Sequence, residues 1–211
     1  MGNPSARGWI GLAASLLLAV SLGVFLGFDR PDAETPEEMA RTLLENYRPF
    51  EARLSDQQYL ARVVTRSPAN SDFPVEAAEA AQLRRMGATN HVSGIGFLLA
   101  GDFNEAIRHL ELAVTQTPDE PAVRNDLGVA YLERLAETRA DLDDNLKKAQ
   151  REFEAAIGLE VSFIPAVYNI VLLYERRGLP GMTRSFSERY LSLDSQSDWA
   201  SEIQTRMERP N

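Results

Sequence analysis

Two histidines, His91 and His109, are the only imidazoles in the 211-residue chain. Neither has a second histidine or a carboxylate at ligand spacing, so a structural or surface role is expected of both. Asp141, Asp143, Asn145 and Glu152 fall at the first, third, fifth and twelfth places of a calcium loop. Leu146 stands where that loop needs glycine, however, and Lys147 and Lys148 add positive charge beside it. The stretch reads instead as a solvated acidic turn, with Asn145 capping the helix that follows. Cysteine is absent, which excludes disulfides, thiolate metal sites and a thiol nucleophile. No glycine-rich phosphate loop and no GxSxG elbow is present. Carboxylates are plentiful, but on helices they are commonly solvated faces. No catalytic residue, metal site or cofactor is therefore expected, and the chain does not read as an enzyme.

The formal charge of -9 argues against nucleic-acid binding, which requires a basic face to neutralise phosphates. Residues 1–7 form a short tail. Gly8 to Phe28 is an uncharged run of 21 residues, close to the ~20 that a helix needs to cross a bilayer. Ala19-Val20-Ser21 is a passable cleavage site, but the run outlasts the core of about 7–15 residues usual in a signal peptide. The expectation is an uncleaved transmembrane helix in a bacterial inner membrane, with the larger part of the chain in the periplasm. Gly11, Ser15, Ala19, Gly23 and Gly27 recur every fourth residue, a stripe that lets a second helix of the same or another protein pack closely.

The acidic, proline-broken stretch Asp29–Pro36 reads as a linker. Thr35-Pro36-Glu37-Glu38 is a helix start, with Thr as N-cap, Pro in the first turn and Glu three residues on. The spacing of Met39, Leu43, Leu44 and Tyr47 predicts a helix over 36–47, stopped by Pro49. Residues 50–73 read as irregular or short-stranded, and a further helix is expected over 74–86, completing a pre-repeat region at 29–86.

From Gly87 onward small and bulky residues recur at fixed offsets: Gly94, Phe97, Gly101, Ala106, Leu110, Ala113, Pro118. Leu127, Gly128, Tyr131, Ala149, Phe153 and Ala156 repeat the series, with nine extra residues placed around Glu137–Asn145. Ile170, Tyr174 and Gly178 begin a third, degenerate copy that continues through Thr183, Ser187 and Tyr190. The pattern resembles the tetratricopeptide repeat, a helix pair of ~34 residues in which small residues sit where helices cross and bulky ones fill the gaps. More narrowly, NDLGVAYLER and RYLSLDSQSDWASEI resemble bacterial membrane-anchored members, including those that precede CHAT peptidase domains. No such domain is present, and its cysteine is missing.

The resemblance implies an all-α chain: the N-terminal transmembrane helix, then an α-solenoid of about three helix pairs (87–120, 121–163, 164–197) and a capping helix (198–208), all within 87–211. It also implies a concave groove for protein partners. Its first pair would supply His91, Ile95, Leu98 and Leu99. The second would supply Asn125, Asp126, Val129, Leu132 and Glu133, and the third Tyr168, Asn169, Leu172 and Glu175. The basic set with which some members grip a C-terminal carboxylate is missing. The groove could take a partner's helix or extended segment, or the chain's own helix at 36–47 or the stretch after it. The function expected is a membrane-anchored scaffold, assembly factor or accessory subunit. The alternative is a regulatory module of a separately encoded enzyme such as a peptidase.

Overall fold

The computed structural model describes residues 35–61, 82–83, 85–134 and 142–208. Chain contacts divide the molecule into Met1–Glu34, which lies outside the described residues, and Thr35–Asn211. Among the described residues the structure consists of eight helices and no strand. These are α1 (Pro36–Asn46), α2 (Asn90–Leu99), α3 (Phe103–Gln116), α4 (Pro121–Glu133), α5 (Leu142–Leu159), α6 (Ile164–Arg176), α7 (Pro180–Leu193) and α8 (Asp198–Glu208).

The expected transmembrane helix is corrected here. No helix among the described residues is long and apolar enough to cross a membrane. Even the long α5 carries Asp143, Asp144, Lys147, Lys148, Arg151, Glu152 and Glu154, whose charges are costly in hydrocarbon. The run 8–28, with its stripe Gly11, Ser15, Ala19, Gly23 and Gly27, lies outside the described residues.

Local chemistry sets the helix ends. Thr35 Oγ1 accepts from the Glu38 N–H at 3.2 Å and Glu38 Oε2 accepts from the Thr35 N–H at 2.8 Å, a reciprocal cap that starts α1. Tyr47 is already extended, and Pro49 keeps the chain from resuming the helix. The turns from α2 to α3 and from α6 to α7 pass through Gly101 and Gly178, whose φ values of 75° and 65° any side chain would resist. Between α4 and α5, residues 135–141 lie outside the described region. α5 begins at Leu142, so Asn145 sits inside the first turn rather than capping it, buried at 1% exposure.

α2 packs on α3, α4 on α5 and α6 on α7, each pair meets the next, and α8 closes on α7. α2, α4 and α6 also touch one another in order, forming an inner row. This arrangement is compatible with an α-solenoid. Within the first two pairs the crossing points are set by size. A Cβ at Gly94 would stand 2.5 Å from Leu110 Cγ, and one at Gly128 2.5 Å from Phe153 Cε1. In the third pair the order of sizes is reversed at the same register, with Val171 and Ser187 both buried.

Alanine should therefore act oppositely at two glycines. Gly128→Ala is expected to lose about 1–2 kcal/mol, because overpacking outweighs the ~1 kcal/mol gain in helix propensity. Gly158→Ala on α5, whose Cβ meets nothing within 4 Å, is expected to be neutral or stabilising. Urea denaturation of the two variants measures both.

Candidate functional site

The site is built on the segment that follows α1. Residues 48–61 form neither helix nor strand, and their apolar side chains alternate: Phe50, Ala52 and Leu54 are 4%, 0% and 0% exposed. The alternation gives the segment one buried side, although the chain bends at 50–52 and turns at 55–56. All three side chains join the same hydrophobic cluster as the inner row of helices. Burying Phe50 and Leu54 contributes roughly 1.5–3 kcal/mol each. Nearly all the residues expected to line the groove are buried too, among them Ile95, Leu98, Leu99, Val129, Leu132 and Leu172. His91 is partly exposed and Glu175 exposed, the latter held by Arg206 at 2.7 Å.

A segment without helix or ladder bonds that is laid on helices brings its own N–H and C=O groups into the interior, where they need partners. Polar residues of the inner row supply them. Asn169 Oδ1 accepts from the Arg53 N–H at 2.8 Å, and Asn169 Nδ2 donates to the Arg53 carbonyl at 2.8 Å. Asn125 Nδ2 donates to the same carbonyl at 3.1 Å, and its Oδ1 accepts from Asn169 at 2.9 Å. One residue of main chain is thus answered on both sides, as a neighbouring strand would answer it. Glu133 Oε1 accepts from the Ala52 N–H at 3.3 Å. Asp126 Oδ1 accepts from the Ser55 N–H at 2.9 Å and lies 2.8 Å from Ser55 Oγ, which also approaches the Ala122 carbonyl at 3.0 Å.

His91 Nε2 stands 2.8 Å from the other oxygen of Asp126. The carboxylate therefore lies between histidine and serine. A nucleophilic serine needs the imidazole next to its hydroxyl, so this order orients the segment rather than activating Ser55. His109 is elsewhere: it stacks on Phe97 with centroids 5.3 Å apart and bonds to Asn90. Asp143 is exposed on α5, whereas Glu152 is buried beside Arg124 at 3.1 Å. Asp141 lies outside the described residues.

At the other end of the segment Arg48 is fully enclosed. Its Nη1 and Nη2 donate to Glu202 Oε2 and Oε1 at 2.8 and 3.1 Å, a bidentate pair. The guanidinium lies 4.2 Å from the ring centroid of Trp199, and that of Arg53 lies 4.8 Å from the same ring. Tyr168 and Tyr59 meet Trp199 edge-on at 4.9 and 5.1 Å, and Arg53 Nη1 donates to Tyr190 at 3.2 Å. Between the two arginines, Glu51 faces Arg206 at 3.5 Å and Arg176 at 3.9 Å. Burial pushes the Glu202 carboxyl up, but bonds from Arg48 and Tyr168 outweigh it and hold it at about 2. Burial pulls the His91 imidazole down, and the bond and charge of Asp126 more than reverse this, leaving it above its ordinary value.

The polar half of this site was hidden from sequence reasoning. Arg48, Glu51, Arg53, Ser55, Trp199, Glu202 and Arg206 were not among the expected groove residues. The usable signal was the alternation of Phe50, Ala52 and Leu54 directly after a helix stop, together with amides and acids at groove positions that an apolar ligand would leave unsatisfied. No protein-family model matches the chain, and no curated protein matches it.

The His91 pairing fixes a sign. A folded value above the unfolded one means that stabilisation is present below pH 6.5 and is lost as pH rises through the folded value. Wild type should exceed His91→Gln in unfolding free energy by about 1–2 kcal/mol near pH 6, the scale of a charge-assisted hydrogen bond. The gap should close towards pH 9. A gap that does not vary with pH, in urea melts across that range, would remove His91 from the account.

Proposed function

We propose that this chain is a non-catalytic protein-interaction protein, a scaffold, assembly factor or accessory subunit, in which the inner row α2, α4 and α6 receives an extended segment of a partner. The tetratricopeptide likeness of residues 87–207 belongs to the same proposal. The observation that carries it is the double contact of the Asn169 amide with the main chain of Arg53. That contact recognises main chain whatever its side chains, and Asn125 reinforces it. In the present conformation residues 48–55 occupy the place, so a partner segment binds by exchange with them. The covering segment keeps an otherwise apolar groove from being exposed between partners.

The absence of native cysteine makes a direct test possible. A chain carrying Ser55→Cys and Ala122→Cys, positions joined in the wild type through the Ser55 hydroxyl and the Ala122 carbonyl, counts as locked once thiol titration shows an intramolecular disulfide. Full-length wild type and the reduced variant, purified from their native cells, are expected to bring down one protein in stoichiometric amount by mass spectrometry. The oxidised variant is expected to lose it. A purified chain that turns over a substrate alone, or that carries no stoichiometric protein in any state, would contradict the proposal.

A further inference from the structure

We draw no further inference here: the strongest candidate, the surface patch on the third helix pair where Leu179, Met182 and Leu193 stay exposed, carries nothing because nothing in the structure shows what covers it.

Discussion

A buried backbone outside any helix must have its N–H and C=O groups answered, and in this molecule no strand is on hand among the described residues to do it. Everything at the centre of the structure follows from how that demand is met. Asn125 and Asn169 come from helices α4 and α6 and converge on Arg53. Side-chain amides carry a donor and an acceptor on one planar group, so a single asparagine can imitate the edge of a sheet. Replacing either by an apolar residue would leave peptide groups buried and unpaired, at a cost greater than the bond itself contributes. Helices α4 and α6 therefore must stand close enough to bring the two amides together, while Gly94 and Gly128, by admitting Leu110 and Phe153, set the separate closeness of α2 to α3 and of α4 to α5.

Electrostatics then fixes which stretch of chain lies there. Arg48 and Arg53 approach Trp199 on α8, so the last helix is a wall of the groove as well as the end of the stack. Glu202 on the same helix holds Arg48 by two oxygens, and Arg206 turns to Glu51, Glu175 and Glu202. Residues separated by about 150 positions in sequence are thereby joined in one network. The fold's two ends meet through it, which couples the repeat helices to the segment that covers them.

How much of this could be read from the amino-acid sequence depended on the range of the interaction. The capping of α1 by Thr35 and Glu38 is local and was legible. The glycine and bulky-residue pairs were legible because they recur at fixed offsets within one helix pair. The residues lining the inner row could be named from the same register, and the structure buries most of them. What fills the row has no sequence signature, because the match between Arg48 and Glu202 or between Arg53 and Asn169 has no periodicity and joins residues more than 100 positions apart. Asn145 was expected as a helix cap and lies inside the first turn, since α5 starts three residues earlier. The apolar run at 8–28 led to an expected membrane helix that no described helix supplies.

The central claim is that the main chain of residues 52–55 is hydrogen-bonded into the row rather than resting on it. Amide hydrogen exchange of the full chain, read residue by residue, tests this most directly. The account requires the N–H groups of Arg53 and Ser55, bonded to Asn169 and Asp126, to be protected to a degree comparable with the buried amides of α4 and α6. Exchange of those two amides at the rate of an unfolded peptide, while the helices remain protected, would contradict it.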